Sequence, residues 1–354
     1  MPVSAAFAIP GNIDTRTGGY IYERRMLETL NAIGQPTRHL QLLPSWPDPT
    51  EAAAQDLSAK LAELPDNMPL ILDGLVFGAM DTALLAQETR PIIAMLHHPL
   101  GLEAGLAPER AQALLELERA NLRHAAHVVV PSPHTKEILS RDFGVASERI
   151  SIALPGFDRP NSPAASDKAN PPLVLSVGIL CQRKGHDVLL DALGKIRELE
   201  WQAAIVGMTH DHDVYHALLR QRSDLGLEER VRFTGELSQE ALEDLYQKAS
   251  IFALATRYEG YGMVLSEAQI HGLPILSCAV GAVPQTVDTR SAILTPPDAP
   301  DAFADSLGEL LLNHDLRNKL AEGSTKAGAQ LPRWEDAAHV MQNVLHMVSH
   351  RHRQ

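Results

Sequence analysis

Residues 255–276 read ATRYEGYGMVLSEAQIHGLPIL, and the order of parts in this stretch decides the fold. An apolar run over 251–255 leads into it, and a second apolar run over 273–278 closes it. Between them, Gly260 and Gly262 flank Tyr261 in a loop, and a helix is predicted over 263–272, stopped by Gly272 with Pro274 beyond. Strand, loop, helix and strand in this order imply a parallel sheet with crossover helices, in which ligands gather beyond the carboxyl ends of the strands.

The first-turn amides of the predicted helix, at Met263 and Val264, face the loop mouth and suit a phosphate. Glu259 lies in the loop, and Glu267 follows Met263 by four residues, roughly on one helix face. A carboxylate repels a phosphate, so both are read as accepting hydrogen bonds from the neighbouring alcohols of a ribose or hexose. Spacing alone carries no weight, because Glu228 and Glu236 share the same interval.

The Glu-Gly-aromatic-Gly turn, the short helix and the Gly-x-Pro exit together resemble the signature of the retaining nucleotide-sugar glycosyltransferases of the GT-B architecture, in the large family four (glycosyl transferases group 1). The resemblance implies that Glu259 contacts the hydroxyls of the donor sugar and Glu267 the ribose, with Gly260, Tyr261, Gly262, Met263 and Val264 completing the donor loop. It also implies the fold: two Rossmann-like α/β domains with parallel sheets facing across a cleft, and a C-terminal helix returning to the N-terminal domain.

The rest of the chain alternates strand-like and helix-like segments in keeping with that class. A strand over 5–9 and a loop carrying Asp14 and Arg16 lead to Gly18-Gly19, where backbone can approach a ligand. In the family a Gly-Gly turn here approaches the donor phosphates or the acceptor. Strands over 70–72 and 92–96 follow, the second running into His97-His98-Pro99. Adjacent histidines on extended backbone point to opposite faces, which argues against joint metal chelation. The resemblance places a sugar-contacting histidine after this strand, and His97 is preferred to His98 because it continues the apolar run directly.

Residues 159–172 contain four prolines without periodicity and read as a linker. The second half opens with a strand over 173–177 and Gln182-Arg183-Lys184-Gly185-His186 entering a helix. Two cations at a helix mouth suit a diphosphate, and the family puts its diphosphate-binding Arg and Lys in this loop. Ile179 stands where many members have arginine, so Arg183 serves instead. His210-Asp211-His212-Asp213 has the look of a metal motif, but Asp213 also suits a helix cap. The strand over 231–235 followed by Leu237 matches the part that presents backbone to the nucleobase in the family. Residues 281–285 form a further phosphate-compatible turn, with Gln285 where members often have glutamate.

These readings divide the chain into an N-terminal acceptor domain over 1–158, the linker over 159–172, a donor domain over 173–330, and a returning helix over 331–354. The function implied is metal-independent, retaining transfer of a hexosyl group from a nucleotide diphosphate sugar, a UDP-sugar, to a hydroxyl acceptor. His97, Glu259, Arg183 and Lys184 are the catalytic set; no metal and no cofactor beyond the co-substrate is expected. A nucleotide-sugar-binding subunit without catalysis and a GT-B epimerase are the alternatives. A net charge of −13 disfavours nucleic acid and an anionic membrane surface. Cys181 and Cys278 fit no metal spacing and point to a reducing compartment, and no signal-peptide pattern or membrane-spanning run is read, so the cytoplasm is expected. The basic tail, His350-Arg351-His352-Arg353, reads as a solvated helix end.

Overall fold

The computed structural model describes residues 4–159 and 168–352. Most of the predicted linker, residues 160–167, and Arg353 of the basic tail lie outside the described residues. The chain divides into two compact units, one of residues 1–158 and 332–354, the other of residues 159–331.

The first unit holds a six-stranded sheet of β1 (Ala5–Pro10), β2 (Thr37–Leu42), β3 (Leu70–Asp73), β4 (Ile92–Met95), β5 (His127–Val130) and β6 (Ile150–Ile152). The strands are all parallel and lie in the order β2-β1-β3-β4-β5-β6. Strands β1, β3, β4 and β5 are buried along their whole length, which is why they read as mostly apolar runs and not as alternating ones. Edge strand β2, TRHLQL, alternates buried and open positions instead. Its outward Arg38, His39 and Gln41 hide it from a search for apolar runs, and it was not expected from the sequence.

The second unit repeats the plan with β7 (Leu173–Val177), β8 (Gln202–Val206), β9 (Val231–Gly235), β10 (Ile251–Leu254), β11 (Ile275–Cys278) and β12 (Ala292–Thr295). Its parallel order is β12-β11-β10-β7-β8-β9. Along β7, Leu173 and Leu175 join one buried cluster and Val174 the other, so both faces of the sheet are covered. The order reverses between β7 and β10, and in open α/β sheets the crevice at that switch point is where ligands bind. Edge strand β12 and the helix Gln239–Lys248 are additions to the elements read from sequence.

Helix ends follow side-chain chemistry. Thr17 caps the helix Gly18–Ala32, Ser132 caps Pro133–Phe143, and Gly144 ends the latter in the left-handed region. The predicted cap Asp213 is corrected: Asp211, in extended backbone, accepts from the amides of Asp213 and Val214 and caps His212–Asp224. His210, Asp211, His212 and Asp213 are all exposed, so that motif is a capped helix start.

The final helix, Trp334–His352, buries Trp334, Ala337, Ala338, Met341, Val344, Leu345 and Val348. It packs within the first unit against Gly18–Ala32, β5 and β6. Tyr22 meets Trp334 edge-on at 5.6 Å, and its hydroxyl donates to the Ala153 carbonyl at 2.7 Å. His350, Arg351 and His352 occupy the last turn, where positive charge complements the helix dipole. Among the described residues, no helix is long and apolar enough to cross a membrane.

Candidate active site

Two loops meet at the switch point of the second sheet. After β7, residues 182–184 form a single 3-10 turn and Gly185 (φ 64°) starts the helix His186–Lys195. After β10, residues 255–262 lead into the helix Met263–Ile270. The amide of Arg257 donates to the Arg183 carbonyl at 2.8 Å, and Thr256 Oγ1 lies 3.1 Å from that same carbonyl. A Cβ at position 185 would collide with the carbonyl of Ala255, so glycine is required there by contact as well as by φ.

Arg183, Lys184 and Glu259, separated by some 75 residues in sequence, converge here. Lys184 Nζ lies 2.6 Å from Glu259 Oε1, and Arg183 Nη1 is 3.6 Å from Glu259 Oε2. Thr256 Oγ1 lies 3.0 Å from Glu259 Oε1. Glu259 is 4% exposed and Lys184 9%, so this ion pair sits in low dielectric. Burial alone would raise the Glu259 carboxyl; Lys184 and Arg183 outweigh it and hold the group below its ordinary range. The site therefore contains two cations facing one carboxylate, with a net positive charge.

Glu259 is also held through its backbone. The amide of Ala282 donates to the Glu259 carbonyl at 2.9 Å. Gly281 (φ 53°) approaches so closely that a Cβ would strike the Glu259 backbone. The 281–285 turn expected to bind phosphate thus braces the Glu259 loop, and Gln285 is exposed. Arg257 adds a clip that the sequence did not reveal: it pairs with Asp187 at 2.7 Å and Asp298 at 2.7 Å. Burial favours a neutral Asp187, but Arg257 prevails and lowers it.

No side chain caps the Met263–Ile270 helix, whose N-cap Gly262 has φ 89°. Its first-turn amides are accordingly available to an anion. Tyr261 closes the loop onto the helix, its hydroxyl 3.1 Å from Ser266 Oγ, while Thr286 Oγ1 donates to the Tyr261 carbonyl at 2.6 Å. Met263 and Val264 are half-buried at the helix start. Glu267 lies in the helix and accepts from the Tyr246 hydroxyl at 2.9 Å. Burial raises its carboxyl, against the opposing Tyr246 bond and His271. Leu237, two residues past β9, is half-buried against the second unit's core.

The remaining expected residues lie in the first unit. Gly18 and Gly19 are not in a loop before the helix but are its first two residues. A Cβ at Gly18 would meet nothing within 4 Å, and one at Gly19 would make ordinary contact with the His97 ring at 3.6 Å. The protein's own packing therefore does not demand glycine at either position. His97 and His98 part company: His98 pairs with Glu103 at 2.9 Å, whereas His97 turns Nε2 toward Glu23 at 3.5 Å. Glu23 and Asp73, which the sequence analysis passed over, are buried beside it.

Residues 158–327 match the family model described as Glycosyl transferases group 1, and residues 74–159 match the one described as Glycosyltransferase Family 4. The chain belongs to this glycosyltransferase family. Among curated members, it is 29% identical over 233 residues to a D-inositol 3-phosphate glycosyltransferase of Xylanimonas cellulosilytica, covering 61% of this chain and 56% of that one. It is 26% identical over 229 residues to a mannosylfructose-phosphate synthase of Agrobacterium fabrum, covering 60% and 50%. The chain thus spans about half the length of the curated relatives it matches.

Solved members of the fold extend over nearly everything. A sucrose-phosphate synthase of Thermosynechococcus elongatus superposes with a TM-score of 0.81 at 21% identity, covering 99% of this chain and 100% of that one. The Anabaena protein HepE, solved with UDP and glucose, gives 0.76 at 18% identity, covering 98% and 100%. The GT-B fold of this family member is therefore the one its sequence implied.

Proposed function

We propose that this glycosyltransferase moves a hexosyl group from a UDP-sugar to an acceptor hydroxyl, with retention at the anomeric carbon and without a metal. The observation that carries the reading is the meeting of Arg183, Lys184 and the uncapped Met263–Ile270 helix at the switch point of the second sheet. Departure of a nucleoside diphosphate builds negative charge on the leaving oxygens. Preorganised cations and amide dipoles in a dry site stabilise that charge far better than water does. Glu259, ionised and held by Thr256 and Lys184, accepts from the sugar's hydroxyls, and Glu267 from the ribose. Glu259 faces both cations, and an arriving diphosphate shares them.

Residues 173–330 act in this reading as the donor domain and 1–158 as the acceptor domain. The loop 260–264, Gly18, Gly19 and Leu237 complete the donor contacts, and His97 is assigned to the transferred sugar by the family pattern. The similarity to HepE, solved with UDP and glucose, supports uridine as the base and glucose-like sugars as the first donors to test.

A panel of UDP-, GDP- and ADP-sugars tests the proposal through nucleoside diphosphate release and melting temperature. One UDP-sugar is expected to be hydrolysed slowly without acceptor and to raise the melting temperature, by mass action on the folded state. Glu267→Ala is expected to weaken UDP binding about 10- to 150-fold, as the loss of one charge-assisted hydrogen bond of roughly 1.5–3 kcal/mol implies. Binding without any turnover would overturn transfer in favour of a nucleotide-sugar-binding subunit without catalysis, and conversion of the sugar nucleotide to its epimer would overturn it in favour of an epimerase.

A further inference from the structure

Three titratable groups meet at the carboxyl edge of the first sheet, next to its own switch point between β1 and β3. Asp73 ends β3, His97 follows β4, and Glu23 projects from the helix Gly18–Ala32. One carboxylate oxygen of each acid and one imidazole nitrogen lie within 4.8 Å of one another. Glu23 is 1% exposed and Asp73 3%.

Asp73 Oδ1 is committed to its own helix cap, accepting from the amides of Leu75 and Val76 at 2.8 and 3.4 Å. The Asp73 and Glu23 carboxyls lie side by side, with an oxygen of each within 4.8 Å of the other, and two carboxyls in contact share a hydrogen bond only if one of them carries a proton. Glu23 Oε1 and His97 Nε2, 3.5 Å apart, are both buried without a hydrogen-bond partner. The ring is fixed from the other sides: Tyr22 stands edge-on to it at 5.2 Å, and Thr135 Oγ1 donates to the His97 carbonyl at 3.3 Å. The other titratable groups facing the cluster are Tyr20 and Tyr22, from the same helix as Glu23.

We propose that Glu23 and Asp73 are positioning residues for His97. Asp73 keeps a proton that it donates to Glu23, and Glu23 accepts the Nε2–H of a neutral His97, leaving Nδ1 as the nitrogen that accepts from a sugar hydroxyl. This rests on the assignment of His97 to the transferred sugar. At 3.5 Å the Glu23–His97 contact is longer than a formed hydrogen bond, and such contacts tighten when substrate fills a site.

The electrostatics agree. Burial raises the Asp73 carboxyl well above its ordinary range, with Glu23 beside it adding to the effect; burial also raises Glu23, to about 7. Two adjacent buried carboxyls cannot both ionise readily. Burial lowers His97, so the imidazole stays neutral. Because the folded-state value of Glu23 is raised, the protonated form is the one the fold favours. The stability this contributes is present at acid pH and lost as pH rises through about 7. The hold on His97 runs the other way, strengthening as Glu23 ionises.

The test is nitrogen and carbon NMR of histidine-labelled full-length protein between pH 5.5 and 8.5, with His97→Gln to assign the signal. The expected result is a neutral Nε2–H tautomer at His97 with a chemical-shift step near pH 7 that Glu23→Gln removes. Asp73→Asn, whose amide donates as the protonated acid does and whose oxygen still caps the helix, retains both tautomer and step. In turnover, Glu23→Gln lowers kcat at pH 8 by about 10- to 100-fold through misorientation of the ring, flattens the rise across pH 7, and leaves UDP affinity unchanged. An His97 that titrates as an ordinary exposed imidazole, or a step that survives in Glu23→Gln, overturns the proposal. So does one equivalent of a divalent metal in the purified protein, since two carboxylates and an imidazole also form a metal-ligand set. If the tautomer is as expected but His97→Gln turns over normally, the sugar contact falls while the positioning arrangement stands.

Discussion

Arg183→Ala combined with Lys184→Ala is expected to lower turnover of the sugar nucleotide by at least about 10²–10³-fold, the effect of removing one well-placed transition-state donor. Both side chains converge on Glu259, so the variant removes both side-chain cations that face this carboxylate among the described residues. It also leaves Glu259 buried and unpaired, at 4% exposure. Breaking a buried ion pair from one side costs roughly 3–5 kcal/mol, so a drop in melting temperature accompanies the kinetic loss. Lys184→Met with Glu259→Gln separates the two effects. Removing both charges recovers part of the stability, since the charge that remains is Arg183, half-buried and donating to the Tyr258 carbonyl, but does not restore turnover. Thermal melts and donor hydrolysis on the same preparations distinguish these outcomes; full turnover in the Arg183/Lys184 variant would remove the diphosphate assignment.

The second large effect is expected at Gly185. Its φ of 64° lies where a Cβ is strained, and that Cβ would be driven into the Ala255 carbonyl. The left-handed conformation alone costs about 1–3 kcal/mol in a non-glycine residue. The collision adds a displacement between the loop bearing Lys184 and the loop bearing Glu259, whose backbones are joined by the Arg257-to-Arg183 bond. Gly185→Ala is therefore expected to destabilise the protein by at least about 2 kcal/mol and to lower kcat by about 10²-fold, the cost of roughly 1 Å of misplacement. Gly226→Ala is the control. It shares the positive φ, at 66°, but a Cβ there would meet nothing within 4 Å, so it should show the strain without the loss of turnover. Denaturant melts and initial rates on the two variants measure the difference.

Much of the fold was legible because burial on both faces writes itself into composition. LVLSV, IFAL and ILSC are almost wholly apolar runs, and they became β7, β10 and β11. The edge strands were harder to see. TRHLQL needs one buried face only, and its polar half looks like loop. The donor loops were legible for a different reason: Gln182–Gly185 and Glu259–Gly262 carry their chemistry within a few adjacent residues.

What the sequence did not show depends on which strands become neighbours. The Lys184–Glu259 pair exists because β10 lies beside β7, across 75 residues of chain. The Arg257 clip to Asp187 and Asp298, the Tyr246 bond to Glu267, and the Glu23–Asp73 contact likewise need the sheet order. Asp73 did leave a trace, as an acid closing the apolar run LILD. An ionisable group at the carboxyl end of a buried strand is worth marking even when no motif surrounds it.

The central claim is that the second unit grips a nucleotide by its diphosphate. Calorimetric titration of UDP and of uridine, against the wild type and against Arg183→Ala/Lys184→Ala, tests it most directly. UDP is expected to bind the wild type at least about 100-fold more tightly than uridine, as two charge-assisted contacts of roughly 1.5–3 kcal/mol each imply, and this advantage is expected to collapse in the variant while uridine binding is unchanged. Equal affinity for UDP and uridine in the wild type, or undiminished UDP affinity in a folded variant, would contradict it.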